Sequence, residues 1–279
     1  MPGKLMVVGT PIGNLGDLSP RAQQTLTECD FIAAEDTRVT LRLLNHFGIK
    51  KPMISYFEHN KLERGEIICS RIEAGETCAL VTDAGMPAIS DPGELLVAQC
   101  AARGIEVAAV PGPSAVITAL AVSGLPTGRF TFEGFLSTAK KSRREHLEQL
   151  RGERRTMVFY EAPHKLAATL QDLEKTFGPS RRISLVRELT KLHEEAIRTT
   201  LGEARERFTA EAPRGEFVLV LEGAPEEPEH LCATPEDAVA LAKALCAQGL
   251  SASEAAKRAA RESGVRKGEI YAALVSPGE

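Results

Sequence analysis

The sequence predicts an α/β protein built on two sheets, the first parallel and the second mixed, with a small helical module at its end. Three observations carry this. Up to residue 125, short apolar runs alternate with helical patterns through five strands, the mark of a parallel sheet with crossover helices. After Gly128 several strands follow one another without a full crossover helix, which implies mixed or antiparallel pairing. From 224 to 236 an acidic, proline-containing stretch reads as a linker, and only helical patterns follow it. The expected domains are 1–125, 126–224 and 225–279.

The first strand is Lys4–Val8, followed by a glycine-rich loop, Gly9–Asp17, and a helix capped by Ser19-Pro20. That loop is neither a dinucleotide fingerprint nor a Walker loop, because it lacks the glycine spacing of the one and the Lys-Ser/Thr of the other. Asp30–Ala34 is the second strand. Glu35-Asp36-Thr37-Arg38 stands at its end, either as a helix N-cap with a solvated first turn or as a charged cluster in a cleft. The helix that follows stops at Gly48. Met53–Phe57 is the third strand, with His59 just beyond it as a structural hydrogen-bonder or a base. Lys61–Ala74 is an amphipathic helix. Ala79–Thr82 is the fourth strand, broken by Asp83-Ala84-Gly85-Met86-Pro87. Asp91-Pro92-Gly93 is expected to start the next helix, with Asp91 at the N-cap and Pro92 at N1. Ile105–Val110 is the fifth strand, and Pro111-Gly112-Pro113-Ser114-Ala115 leads into a helix ended by Gly124. Two consecutive strands thus end in Gly/Pro loops at the carboxyl edge of a parallel sheet, where α/β proteins hold small molecules.

In the second half, strands are expected at 130–135, 158–160, 182–188, 195–199 and 216–221, with helices near 142–151, 163–177 and 202–209. A cleft between the two sheets is the expected active site. The run from Ser137 to Arg155 holds Lys140, Lys141, Arg143, Arg144, Arg154 and Arg155 among its cations. A charge run is usually a solvated helix face, but in a chain of net charge −4 this one, after Gly134-Phe135, reads as a phosphate-binding arm. Phe159–Lys165 and Arg187–Glu195 each put charge directly after an apolar strand. The last three helical patterns cover 235–248, 251–261 and 265–275. With Arg266 and Lys267 at the start of the third, they read as a helix-turn-helix or as a packing or dimerisation module.

Composition narrows the classes. Apolar residues make up 43% of the chain, enough for sizeable cores, and with no tryptophan the packing falls to Ala, Val and Leu. The acidic balance means that any nucleic-acid contact must come from a local basic patch. Cys29, Cys69, Cys78, Cys100, Cys232 and Cys246 form no CxxC pair and no ligand spacing, so they read as reduced thiols, with neither zinc nor disulfides. No metal site is evident. Without a signal-peptide pattern or a membrane-length apolar run, the expected location is the cytoplasm.

Residues 83–87 with Ser90-Asp91-Pro92-Gly93, then 111–115, resemble the tetrapyrrole methylase superfamily of S-adenosylmethionine-dependent enzymes. Within it, the chain is similar to the ribosomal RNA small-subunit methyltransferase I family, which methylates the ribose 2′-oxygen of a decoding-centre cytidine. The stretch from Thr10 to Ala22, the Glu35–Arg38 run, Phe159–Lys165, Arg187–Glu195 and Gly215–Val218 carry the same likeness, which covers about residues 4–223. The sequence departs from the family at Met86, where Thr is usual in the expected cofactor loop, at Ser137 in place of a common Pro, and at Lys165 in place of Arg.

The resemblance implies a two-domain methyltransferase of the tetrapyrrole methylase type with S-adenosylmethionine in the cleft. Pro11, Gly85, Met86, Ile89, Ser114 and Ala115 would hold the cofactor from the first domain, and Tyr160, Leu189 and Phe217 from the second. Asp36, Arg38, Glu161 and Lys191 are the expected catalytic residues, with Asp36, Glu161 and neutral Lys191 as alternatives for the base. The expected partner is 16S ribosomal RNA in the assembled small subunit, and the expected working unit a homodimer. A methyltransferase acting on a tetrapyrrole-like small molecule is the alternative.

Overall fold

The computed structural model describes residues 3–210, 214–225 and 234–275. The chain forms two compact units, residues 1–223 and 224–279.

The first unit contains both sheets. Sheet one is entirely parallel, with β1 (Lys4–Val8), β2 (Phe31–Ala34), β3 (Met53–Ser55), β4 (Cys78–Val81) and β5 (Glu106–Val110) in the order β3-β2-β4-β1-β5. Helices α1 (Pro20–Glu28), α2 (Thr37–His46), α3 (Lys61–Glu73) and α4 (Glu94–Ala102) make the crossovers. Every residue of β2 and β4 is buried, as inner strands covered on both faces require. One face packs Leu5, Phe31, Tyr56, Ile68 and Leu96, and the other packs Val8, Leu26, Ile32 and Leu44.

Helix α5 (Ala115–Val122) leaves β5 of sheet one and buries Val116, Ala119 and Leu120 against Val158, Val186, Val218 and Val220 of sheet two. Its apolar face therefore ties the two sheets together. Sheet two runs β6-β7-β10-β8-β9, from β6 (Phe130–Phe135), β7 (Thr156–Glu161), β8 (Arg182–Arg187), β9 (Glu195–Thr200) and β10 (Phe217–Leu221). Only the β6–β7 pair is parallel; the other three pairs are antiparallel, so the sheet is mixed. Its second face is covered by α6 (Lys140–Gln149), α7 (Leu166–Phe177) and α8 (Leu201–Ala210) around Leu147, Leu170, Leu173 and Phe208.

The second unit packs α9 (Pro235–Ala247), α10 (Ala252–Ser263) and α11 (Lys267–Val275) on Ala238, Ala242, Ala256, Ala259 and Ile270. Small residues let its helices approach closely. A capping box of Thr234 and Asp237 starts α9, Ser251 caps α10, and Gly264, at φ +74°, ends α10 in the left-handed conformation. Cys29, Cys69, Cys78, Cys100 and Cys246 are free thiols, and Cys232 lies outside the described residues. Among the described residues no helix is long and apolar enough to cross a membrane.

Candidate active site

A cavity of 380 Å³ lies between the two sheets, within the usual range for a small-molecule site. Its first wall is made by loops at the carboxyl edge of sheet one. Those loops interlock through backbone. Thr10 and Gly85 exchange both N–H···O bonds, at 2.9 and 3.1 Å, and Thr10 Oγ1 donates to the carbonyl of Thr82. Gly9 and Gly112 lie back to back, and a Cβ on Gly9 would come within 2.7 Å of the Gly112 Cα. Only glycine permits that approach. The 9–17 loop also reaches sheet two, because a Cβ on Gly13 would fall 2.9 Å from the Leu189 carbonyl.

Backbone strain marks the same place. Among the described residues, the non-glycine residues with positive φ are Ala88 (67°), Ser90 (66°), Glu188 (52°) and Thr190 (65°). They belong to the loops after β4 and β8, both of which line the cavity. Each such residue costs roughly 1–3 kcal/mol, and such strain gathers at ligand sites because the surroundings must hold it in place.

The wall is strongly acidic. Glu35, Asp83, Asp91, Glu161, Glu188 and Glu216 line the cavity against one cation, Lys191. Thr82 Oγ1 donates to Glu35 at 2.5 Å, and Asp83 accepts from the Asp36 N–H at 3.1 Å. Burial lifts Asp83 above the usual carboxylate range. Burial also lifts Asp91, to about 6; the Glu35 and Asp83 carboxylates push it further and Thr82 pulls against them. Across the cavity the Tyr160 hydroxyl is pushed up to about 12, by burial and then by the charge of Asp91.

Of the residues expected to hold a cofactor, Gly85, Met86, Ile89, Ser114, Ala115, Tyr160, Leu189 and Phe217 all line this cavity, and Pro11 stands outside its lining. Of the four expected catalytic residues, Glu161 and Lys191 line it and Asp36 and Arg38 do not. Asp36 caps α2, accepting from the Arg38 N–H at 2.8 Å, and pairs with the Arg38 guanidinium at 2.6 Å. These bonds, the Arg38 side chain's first, hold the Asp36 carboxyl down at about 2. Asp36, expected as one alternative for the base, is thus engaged in capping α2 and in pairing with Arg38.

Asp91 corrects the reading of the helix start. Helix α4 begins at Glu94, after Gly93 at φ +149°, and no side chain caps it. Left-handed turns at Ala88 and Ser90 carry Asp91 off the helix axis and into the cavity wall. The basic run divides as well. Lys140, Lys141, Arg144, Arg154 and Arg155 are exposed, although Arg155 pairs with Glu153 at 2.6 Å. Arg143 is buried, and this removes it from the expected phosphate arm. It donates to Thr169 Oγ1 at 3.0 Å and pairs with Asp172 at 2.8 Å. Thr169 in turn donates to Glu161, whose other oxygen accepts from the Ala162 N–H at 2.8 Å. Arg143 thus belongs to a buried relay that orients Glu161.

Glu35, Asp83, Asp91, Glu188 and Glu216 also line the cavity, although none was among the expected catalytic or cofactor-holding residues; Glu35 lay in the charged cluster expected after β2 and Glu188 in the charged run expected after β8. Glu35 and Asp83 had a signal: each is among the first polar residues after a fully buried parallel strand. Among the described residues no cluster of three or more His, Cys, Asp or Glu could hold a metal ion.

An acidic cavity walled by tight backbone loops, between two sheets joined by α5, suits a cationic small molecule. The family described as Tetrapyrrole (Corrin/Porphyrin) Methylases matches residues 4–205. Among solved structures, uroporphyrin-III-C-methyltransferase from Thermus thermophilus superposes with a TM-score of 0.56 at 18% identity, covering 78% of this chain and 94% of that one. A diphthine synthase superposes at 0.60 with 13% identity, covering 79% and 90%. At such identities the likeness is one of fold. Closer in sequence is the ribosomal RNA small subunit methyltransferase I of Synechocystis sp., 47% identical with 96% of each chain covered. The protein of that name from Thermotoga maritima is 49% identical over 221 residues, covering 79% of this chain and 99% of its own. The chain belongs to the tetrapyrrole methylase family and, within it, to the ribosomal RNA small subunit methyltransferase I group.

Proposed function

We propose that this protein transfers the methyl group of S-adenosylmethionine to the ribose 2′-oxygen of a decoding-centre cytidine in small-subunit ribosomal RNA. The observation that carries the reading is the acidic, strained cavity in a chain whose relatives bear the name ribosomal RNA small subunit methyltransferase I. The donor set suits the cofactor. Its sulfonium and ammonium are cations, matched by carboxylates and aromatic faces, and its polar ends suit the backbone of tight loops. Gly85, Met86, Ile89, Ser114 and Ala115 would hold it from one side, with Tyr160, Leu189 and Phe217 from the other. Bound there, it supplies an electrophilic methyl group.

Displacement at that methyl needs the ribose oxygen held in line, so orientation supplies much of the rate. Glu161, itself fixed by Thr169 and the Ala162 N–H, accepts a hydrogen bond from the hydroxyl and draws its proton. Lys191, paired with Glu188 at 2.9 Å, steadies an RNA oxygen at the cavity edge. RNA phosphates are kept from the acidic interior and met outside it by Lys140, Lys141, Arg144, Arg154 and Arg155, with Arg38 at the rim of sheet one. The substrate is the assembled small subunit, the location the cytoplasm and the working unit a homodimer.

The test is transfer of labelled methyl from the cofactor to unmethylated small subunits, to naked ribosomal RNA, and to a porphyrinogen. Label is expected in 2′-O-methylcytidine from the subunits. Label in the porphyrinogen alone would instead support the small-molecule alternative. Glu161→Ala is expected to slow single-turnover transfer by about a hundredfold, the usual scale for losing a general base. Reversing Lys140, Lys141, Arg144 and Arg154 to Glu is expected to weaken RNA binding and flatten its salt dependence.

A further inference from the structure

We propose that Phe135 is the platform on which the base of the target nucleotide stacks, a reading that rests on the RNA substrate proposed above. Phe135 ends β6, the edge strand of sheet two. Just before it the pairing register shifts between Phe132 and Gly134, and Gly134 turns the strand at φ +63°. The ring lines the cavity and yet is 60% exposed. It stands 5.4 Å from the Tyr160 ring at 59°, and Tyr160 stands 5.0 Å from Phe132 at 69°. Three rings thus step from the interior to the mouth of the cleft, and the outermost leaves apolar surface open to solvent.

The surroundings select the occupant. A Cβ on Gly134 would lie 3.5 Å from Ser90 Oγ, so the loop after β4 closes on this strand. That loop offers Ile89, also lining the cavity and 51% exposed. The mouth therefore presents an aromatic and an aliphatic face, while among the lining carboxylates Glu161 is buried and Glu35, Asp91 and Glu188 are half-buried. Beyond Phe135 the chain runs into the exposed Lys140, Lys141 and Arg144. An apolar, planar group attached to a phosphate backbone fits this sequence of surfaces. A nucleotide whose ribose enters a cavity leaves its stack, and its base regains stacking on an aromatic or apolar side chain. Such a platform reads no base edge; it binds any base and leaves the choice of nucleotide to other contacts.

The experiment compares wild type with Phe135→Ala, Phe135→Leu and Phe135→Trp, using S-adenosylmethionine and unmethylated small subunits as probes. Three quantities are measured: cofactor affinity by calorimetry, the subunit concentration that half-saturates single-turnover methylation, and the sedimentation coefficient. Phe135→Ala is expected to raise the half-saturating concentration about tenfold or more, the scale of one lost base stack. Phe135→Leu should not restore it and Phe135→Trp should. Cofactor affinity and sedimentation should match wild type throughout. A parallel loss of cofactor affinity would make Phe135 an adenine platform, and a changed sedimentation coefficient would make it a face between two copies; either overturns the proposal. So does an Ala variant that saturates like wild type. If wild type itself methylates no subunits, the RNA reading fails, and the proposal falls with it. An active wild type with an indifferent Phe135 overturns the platform alone.

Discussion

Asp36 follows β2 and Asp91 follows β4, two neighbouring strands of one parallel sheet, and both sit ahead of a helix. Their environments are opposite. Asp36 caps its helix, pairs with Arg38 and is held down at about 2. Asp91 caps nothing, faces Glu35 and Asp83, and is lifted by burial to about 6. A carboxylate given N–H donors keeps its charge to lower pH, whereas one partly buried among other acids holds its proton to higher pH. The first junction is finished as folded. The second instead lines the cavity, and this separates the acid that caps its helix from the one that forms part of the cavity wall.

The sharpest way to break this comparison is Gly85→Val in the loop after β4. Gly85 has φ +88°, a conformation a β-branched residue resists, and it pairs with Thr10. Cofactor affinity by calorimetry is expected to fall about a hundredfold, near 2.7 kcal/mol. Asp36→Asn should stay within about twofold of wild type. Equal effects at both junctions would erase the distinction.

A smaller effect tests Asp91 itself. A cation bound beside Asp91, Glu35 and Asp83, across from Tyr160, favours their ionised forms, so cofactor binding near pH 6 should release a proton. Calorimetry in buffers of different ionisation heat measures it. Release is expected from wild type and from Asp36→Asn, and much less from Asp91→Asn, whose affinity at pH 8 should be about tenfold lower, near 1.4 kcal/mol. Undiminished release from Asp91→Asn would assign the proton to another group.

The smallest effect is on stability, and its sign differs between the two acids. Asp36 is lowered on folding, from 3.8 to about 2, so its contribution is complete above pH 3.8 and lost as pH falls through 2. Asp91 is raised, from 3.8 to about 6, so the folded chain holds a proton that the unfolded chain has released, and stability falls as pH rises across that window. Thermal melts at pH 8 should therefore place Asp91→Asn a few degrees above wild type and Asp36→Asn a few degrees below. The Asp91→Asn difference should vanish below about pH 4. Two melts shifted in the same direction would contradict the opposed environments.

The parallel first sheet, the mixed second sheet and most of the cavity loops were legible because their signals are local. Buried strands are apolar runs, and Gly/Pro loops punctuate them. Arg143 was misread because a charge run was taken whole. It lies one helical turn before the buried Leu147, on the inward face of α6, and that spacing was available in the sequence. The exposure of Phe135 was not available, since a phenylalanine at the end of an alternating strand reads as core.

Asp91 and Asp36 show where the boundary falls. The sequence by itself determined which polar residues leave the carboxyl ends of buried strands, because strand patterning and turn chemistry belong to neighbouring residues. Only the tertiary structure decided which of those acids are shut away together. Proton affinity depends on solvent access and nearby charge; at Asp91 the neighbouring groups are Glu35 and Asp83 from the ends of β2 and β4, and Asp91 in turn acts on Tyr160 of β7, three segments distant in the chain that only folding brings to one cavity.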